Sequence, residues 1–253
     1  MNNPSEPTSR KDTWARPVDR LNVPNLQAGA VNLNVEGRKI TGPVQGFGQM
    51  WQKTYTIRLA GSPVSPQALI QSWKENFASF WPQGNHFYGL SAAIAPGQVA
   101  ILNLAGPGGV NPAGGPMIST GIIVIYADEE SFSFMTPQGH MFAGMITFSA
   151  SQQGDDTVAQ IQALVRASDP MYELTFRLGV GHKMEDKFWM QTLRNLAAHF
   201  QAPGAEPEMR RVLIDPRIQW NEAKNIWQNA AIRTTFYILG APLRWLRGLF
   251  VIK

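Results

Sequence analysis

The sequence contains no cysteine among its 253 residues. Disulfides, thiolate nucleophiles, iron–sulfur clusters and cysteine zinc sites are therefore excluded as the basis of its fold or its chemistry. Charged residues are also scarce, at 16%, whereas hydrophobic residues reach 44%. That balance is too apolar for a disordered chain, so the composition predicts a globular protein.

Long hydrophobic runs are missing as well. No stretch of about 18 apolar residues occurs, and the nearest approach, residues 234–252, is interrupted by Arg244 and Arg247. Residues 1–20 are polar and contain prolines, without the apolar core of a secretory signal. We therefore expect a protein without a spanning helix, located in the cytoplasm or at the periphery of a membrane.

The formal net charge of +4 is carried by the two ends of the chain. Residues 1–48 hold six basic and four acidic side chains, residues 208–253 hold eight and three, and the middle is left at −3. A nucleic-acid-binding domain concentrates its basic groups on the folded module. Since the middle is acidic, we expect no nucleic acid among the partners.

Alternation of apolar and polar residues predicts a series of strands. Residues 50–60 alternate strictly, which is typical of a half-buried strand. Ser65 and Pro66 then predict a helix start, and apolar residues continue at helical spacing to Phe80. Short turns separate six further strand candidates and so predict an antiparallel meander. Those candidates are residues 86–95, 98–105, 117–126, 131–136, 141–150 and 157–167.

Two helices are predicted after the meander. A short one opens at Asp169-Pro170, and a long one covers about residues 182–200. The sequence thus divides into an extended arm (1–49), an α+β domain (50–201), and a linker with a basic amphipathic extension (202–253). In that extension, Asp215-Pro216 predicts the start of a last helical stretch.

The order of one strand, a helical segment, a six-stranded meander and a long C-terminal helix resembles the helix-grip (SRPBCC) superfamily. That superfamily contains the START lipid-transfer domains, the birch-pollen-allergen-like plant proteins and the polyketide cyclases. The segment 136–144, TPQGHMFAG, also looks like the central hairpin of a bacterial branch of it. The resemblance implies a seven-stranded curved antiparallel sheet wrapped around the long helix, with a pocket for a hydrophobic small molecule between them.

Small side chains on one strand also suggest a pocket. The inward face of residues 157–167 carries Ala159, Ala163 and Ala167. A closely packed core needs bulky partners opposite such residues, so either aromatic side chains or a ligand occupies the space. The resemblance favours the ligand. The inward faces of the sheet and the apolar stripe of the long helix then predict a ligand-binding pocket lined by Trp51, Tyr55, Trp73, Phe77, Phe142, Phe148, Ile161, Ala163, Trp189 and Leu193.

Candidates for chemistry are few. Histidine titrates near neutrality, but His86 and His140 have no neighbouring carboxylate in the sequence, so we expect turn or cap roles for them. His182 and Asp186 lie four apart with Glu185 beside them, and a dipole-compensating role in a first helical turn explains the acids better than a metal site. The glycine-rich segment 106–116 lacks the lysine of a phosphate-binding loop. We expect no catalytic residue, metal or cofactor.

Three functions stay open on the sequence. The first is non-catalytic binding or carriage of a lipid, isoprenoid or polyketide-like molecule. The second is a cyclase or dehydratase activity, which requires a polar pair inside the pocket. The third is an interaction module that acts through its tails. The almost wholly apolar inward faces favour the first function.

The extension adds a question about partners. Residues 208–253 combine a net charge of +5 with Trp220, Trp227, Phe236, Trp245 and Phe250. Arginines and amphipathic rings suit an anionic membrane surface. Docking on the chain's own domain, on a second subunit of a homo-oligomer or on another protein explains the same composition.

Overall fold

The computed structural model describes residues 13–24, 26–89, 94–105 and 118–241. Two of the predicted features, the glycine-rich segment 106–116 and the last residues 242–253 with Trp245 and Phe250, lie outside these ranges. In chain order the strands are β1 (Ile40–Thr41), β2 (Met50–Leu59), β3 (His86–Tyr88), β4 (Val99–Leu104), β5 (Ile118–Ala127), β6 (Ser131–Pro137), β7 (Phe142–Gln153), β8 (Asp156–Ala167) and β9 (Glu208–Asp215). The α-helices are α1 (Pro66–Glu75), α2 (Pro170–Arg177), α3 (Val180–His199) and α4 (Ala230–Leu239).

The described strands form one antiparallel sheet in the order β3-β4-β5-β6-β7-β8-β2-β9, and the short β1 pairs with β6. The seven strands from β3 to β2 are those predicted from the sequence, and α3 is the predicted long helix. The helix-grip α+β fold is therefore confirmed. The strand β9 is an addition that the sequence analysis did not predict.

The β7–β8 hairpin forms the centre of the sheet. Its two strands of twelve residues pair without a bulge from Phe142 opposite Ala167 to Gln153 opposite Asp156. Gly154 makes the turn at a φ of 64°, in the left-handed region that glycine adopts without strain. The resulting register places the alanines of β8 on the buried face, as the alternation predicts.

The helices begin where the capping residues predict. Ser65 accepts a hydrogen bond from the amide of Ala68, 3.2 Å away, and Asp169 accepts two, from the amides of Met171 and Tyr172. The first helix is shorter than predicted. It ends at Glu75, since the backbone of Asn76 leaves the helical region, and the apolar residues that follow lie in a 3₁₀-helix, Phe77–Phe80.

A buried charge cluster attaches α3 to β2. Lys53 is fully buried, and its Nζ lies 2.5 Å from Glu185 Oε2 and 2.8 Å from Asp186 Oδ1. Tyr55 donates a hydrogen bond of 2.7 Å to the same oxygen of Asp186. The two acids therefore neutralise a buried lysine. The expectation that they lie in a first helical turn and compensate the helix dipole is wrong, because α3 begins at Val180 and its first turn contains no acid. We refer to these four residues as the Lys53 cluster.

The segment after Gln201 folds back on the domain. β9 pairs with β2 from Thr56 opposite Glu208 to Met50 opposite Asp215. The predicted helical stretch follows as a 3₁₀-helix, Trp220–Gln228, and α4. The amide of Ala230 donates to the carbonyl of Gly139 over 2.9 Å, and Asn229 bonds Asp169 and caps α4. Residues 208–241 are therefore part of the domain.

The N-terminal arm covers the other face of the sheet. Leu21 and Val35 are buried there against Ile101 and Ile123. Asn34 connects the arm to α4, because it donates to the carbonyl of Ser119 and accepts from Arg233. Within the described part of the chain, no helix is both long enough and apolar enough to cross a membrane.

The Lys53 cluster leads to the first prediction. Substituting Lys53→Met leaves two carboxylates in a buried position without their cation, which destabilises proteins by about 3–5 kcal/mol. Urea unfolding measures this loss. The control is Arg58→Met on the same strand, since the ion pair of Arg58 with Asp156 is partly exposed and contributes at most about 1 kcal/mol. Equal losses of stability in the two variants would contradict the assignment of Lys53 as the buried counter-ion of Glu185 and Asp186.

Candidate functional site

An apolar cavity lies between the sheet and α3. Its volume is about 380 Å³, which falls in the range of small-molecule sites. The walls come from the concave face of β4 to β8, from α2 and α3, and from α4. Its most prominent lining side chains are Phe77, Trp81, Phe87, Leu102, Phe134, His140, Phe142, Ala163, Tyr172, Phe176, Met184, Phe188, Trp189 and Thr235.

The cavity is elongated along α3. Lining residues of this helix run from Val180 to Trp189, and the eight steps from Gly181 to Trp189 span about 12 Å. At one end, Phe188 packs against Trp81 with ring centroids 5.1 Å apart. At the other, Gly181 lies against Phe176, where an added Cβ would meet the ring at 2.7 Å.

The end of the cavity around Trp81 and Phe188 is lined by aromatic rings in edge-to-face contact, and we refer to it as the aromatic end. Trp81 contacts Phe77, Phe87 and Phe188 at centroid distances of 5.7, 5.2 and 5.1 Å. Such contacts are favourable between aromatic rings and hold them in fixed orientations. This end of the cavity is therefore a rigid apolar wall.

Four of the ten predicted lining residues, Phe77, Phe142, Ala163 and Trp189, line this cavity. Five more are buried beside it in the packed core: Tyr55, Trp73, Phe148, Ile161 and Leu193. There the rings of Phe132 and Phe148 stack at 4.7 Å, and Trp73 meets Phe148 edge to face at 5.3 Å. Both predicted outcomes, filled core and open space, thus occur at different positions along the same sheet.

The tenth residue, Trp51, lies elsewhere. Its ring contacts His182 at 5.2 Å, and the guanidinium of Arg211 lies 5.4 Å from its centroid. These residues line a separate polar cleft at the start of α3, together with Lys183 and Asp186. Trp51 is the second residue of β2, and none of the residues of this strand lines the apolar cavity.

His140 is the buried histidine of the cavity wall. Its Nδ1 lies 3.0 Å from the amide nitrogen and 3.2 Å from the carbonyl oxygen of Phe142. The amide is a fixed donor, so Nδ1 accepts from it and the ring proton of the neutral form resides on Nε2. Burial lowers the pKa of His140 to about 4.

Tyr172 lies beside His140 at the same end. Its hydroxyl accepts a hydrogen bond of 3.1 Å from the amide of Ala231. The preceding residue, Ala230, donates to the carbonyl of Gly139, next to His140. Burial raises the pKa of Tyr172, so its hydroxyl keeps its proton. We refer to the end of the cavity at His140 and Tyr172 as the polar end. The helix α4 helps to form it, because Ala231 and Thr235 are part of the wall.

Of the remaining candidates from the sequence, Glu185 lines the cavity, whereas His86, His182 and His199 do not. Burial raises the pKa of Glu185, and the ammonium of Lys53 opposes that rise. Burial also lowers the pKa of His182 to about 4, with Lys53 and Arg211 acting in the same direction. His86 is exposed on β3, and His199 contacts Ser72. Among the described residues no group of acids and histidines is placed to hold a metal ion.

The state of His140 gives the second prediction. We expect its imidazole to titrate near pH 4 and to carry its proton on Nε2 at pH 7, as measured by nitrogen-15 NMR. The unfolded histidine binds a proton near pH 6.5, so this residue makes folding stability fall as pH drops from about 6.5 towards 4. The substitution His140→Asn identifies the signal by its loss. A midpoint near pH 6.5 would contradict the burial argument.

No protein-family model and no curated protein matches the sequence. Among solved structures, the chain is similar to the di-domain ARO/CYC StfQ from the steffimycin biosynthetic pathway, at 10% identity, 62% of this chain, 52% of that chain and a TM-score of 0.45. It is also similar to major latex-like protein 151 from Panax ginseng, at 17% identity, 60% and 99% coverage and a TM-score of 0.37. A protein from Thermus thermophilus gives 11% identity, 60% and 97% coverage and a TM-score of 0.41.

The chain spans about half the length of StfQ. Identities and TM-scores this low carry no information about activity or ligand. The helix-grip fold follows from the chain's own strand order and from the long helix α3 packed on the sheet.

Proposed function

We propose that this protein binds or carries a hydrophobic small molecule of the lipid, isoprenoid or polyketide type, without catalysing its conversion. The observation that carries the proposal is the cavity of about 380 Å³ between the sheet and α3. Its lining is mostly aliphatic and aromatic, and such surroundings bind apolar molecules by area burial with few polar contacts.

The size of the cavity supports an occupant. A volume of about 380 Å³ lies within the range of sites for small molecules. Its walls are mostly aliphatic and aromatic, and an apolar ligand removes this apolar surface from water.

The polar groups of the wall favour binding over chemistry. A cyclase or dehydratase requires a base in the pocket, whereas the Nδ1 of His140 is already occupied by the amide of Phe142. The carboxylate of Glu185 is bonded to Lys53. An enzyme of this type remains the second candidate, on the observation that His140, Tyr172 and Glu185 line the same cavity.

Two alanines on the inward face of β8 provide the test of the cavity. Ala163 lines the cavity, and Ala159 is buried in the packed core. We expect Ala163→Phe to weaken binding of the neutral probe N-phenyl-1-naphthylamine at least tenfold and to keep stability within about 1 kcal/mol. The control Ala159→Phe should lose about 1–3 kcal/mol or more through overpacking. Probe fluorescence and urea unfolding measure the two effects.

Similar instability in both variants would show that no usable space exists at Ala163. Native mass spectrometry of the freshly purified full chain then asks what the cavity holds. A retained apolar molecule of a few hundred daltons, absent from Ala163→Phe, is the expected result.

We further propose that the segment 208–253 attaches the protein to an anionic membrane surface. The supporting observation is the exposure of Trp220, Trp227 and Phe236, whose side chains are 75%, 81% and 71% accessible. Half-wet aromatic rings with neighbouring basic residues suit a lipid interface. Leu178 and Val180, beside the cavity, are also exposed, at 69% and 47%, so a membrane at this surface would lie close to the cavity.

Vesicle co-sedimentation tests the membrane proposal. Truncation after Gln201 is unsuitable because it removes β9 and α4 from the fold. We expect the full chain to sediment with phosphatidylserine vesicles at low salt, and the double variant Trp220→Ser/Trp227→Ser to remain in solution. The control is Trp14→Ser, an exposed tryptophan outside the segment. Equal sedimentation of all three proteins would contradict the proposal.

A further inference from the structure

Two hydrogen-bond donors at one end of the cavity have no acceptor among the described residues. The contacts of His140 all use Nδ1 or the ring, so Nε2–H is left without one. The hydroxyl of Tyr172 accepts from Ala231 and donates to none of the described groups. His140 and Tyr172 are 7% and 5% exposed, and both line the cavity.

Donors that face an apolar cavity without an acceptor are unfavourable. A ligand oxygen placed between the two donors removes that cost and gains hydrogen bonds. The aromatic end around Trp81, Phe87 and Phe188 presents mainly ring faces and edges, with one buried donor without a partner, Nε1 of Trp81. The end at His140 and Tyr172, about 12 Å away along α3, brings two donors together and is the more polar of the two.

The charges of the wall exclude an anionic ligand. No lysine or arginine occurs among the described residues that line the cavity, and the charged side chain there is Glu185. A carboxylate would be buried without a counter-ion and near a second acid, which is strongly unfavourable. A neutral oxygen has no such cost.

Among the described lining residues, those most exposed to solvent lie near the polar end. Val180 and Met184 line the cavity and are 47% and 38% exposed, and Thr235 of α4 is exposed as well. A ligand that enters here places its apolar body against the aromatic rings. Its last-entering end stays beside His140 and Tyr172.

We infer that the ligand is a neutral, elongated apolar molecule with a hydrogen-bond-accepting oxygen, such as a ketone, at one end, held by His140 and Tyr172. The inference rests on the proposed binding function and specifies its chemistry. It assigns these two residues as the groups that determine ligand orientation and select against the carboxylate form.

Three shape-matched probes test the inference by equilibrium dialysis against the full chain. They are 2-isopropenylnaphthalene, which lacks an acceptor, 2-acetylnaphthalene, which carries a ketone in the same place, and 2-naphthoate, which carries a carboxylate. We expect the ketone to bind at least tenfold more tightly than the hydrocarbon, and the carboxylate to bind most weakly.

Two variants connect the preference to the donors. His140→Asn keeps an acceptor for the amide of Phe142 and removes Nε2, and Tyr172→Phe removes the hydroxyl. Each should lower the ketone-to-hydrocarbon preference about three- to tenfold, as loss of one hydrogen bond does, while the hydrocarbon dissociation constant changes less than about twofold. His199→Asn, outside the cavity, is the matched control and should change neither value. Thermal unfolding checks that each variant folds.

The possible outcomes separate a failure of the inference about ligand chemistry from a failure of the proposed binding function. Equal binding of hydrocarbon and ketone, or a preference unchanged in whichever of the two variants folds, overturns the inference and leaves the proposed function standing. Tighter binding of the carboxylate overturns the exclusion of anionic ligands. Failure of all three probes to bind overturns both the inference and the proposed function.

Discussion

The Lys53 cluster attaches α3 to β2 and so fixes the position of this helix relative to the sheet. A buried lysine with two carboxylates is not an efficient source of stability, because desolvation of the charges offsets much of their attraction. Its directional bonds, however, allow few positions of the helix relative to the strand. The apolar contacts of α3 would tolerate sliding, whereas this cluster would not. The space between helix and sheet is consequently of defined size.

The cavity is a product of two regions of the chain that meet at its polar end. The sheet and α3 supply the apolar walls, and α4 supplies Ala231 and Thr235 after the chain has passed along β2 as β9. Ala231 also holds the hydroxyl of Tyr172 through its amide. The strands and helices of residues 50–201 thus gain both a sheet edge and a wall of the cavity from residues 208–241 of the same domain.

Sequence periodicity predicted the strands, the capped helices and the position of Ala163, because each depends on local spacing. Lys53 shares the inward parity of Tyr55, yet a lysine in such a row is normally solvated, and its partners lie about 130 residues away in α3. The strand β9 was missed because all but its last residue are exposed and Arg210 and Arg211 interrupt the alternation. Trp51 lies outside the cavity because the alternation predicts which face of the sheet a side chain lies on, but not which part of that face borders the cavity.

Gly139 offers a way to recognise this arrangement in other sequences. It has a φ of 93°, and a Cβ at this position would lie 2.0 Å from the carbonyl oxygen of Gln228. No side chain can be accommodated there while the residues before α4 pass so close to the turn. In a related protein, any other residue at the equivalent place would indicate that the C-terminal segment follows a different path. A glycine at this position is therefore a marker of relatives in which the C-terminal segment passes over the turn as it does here.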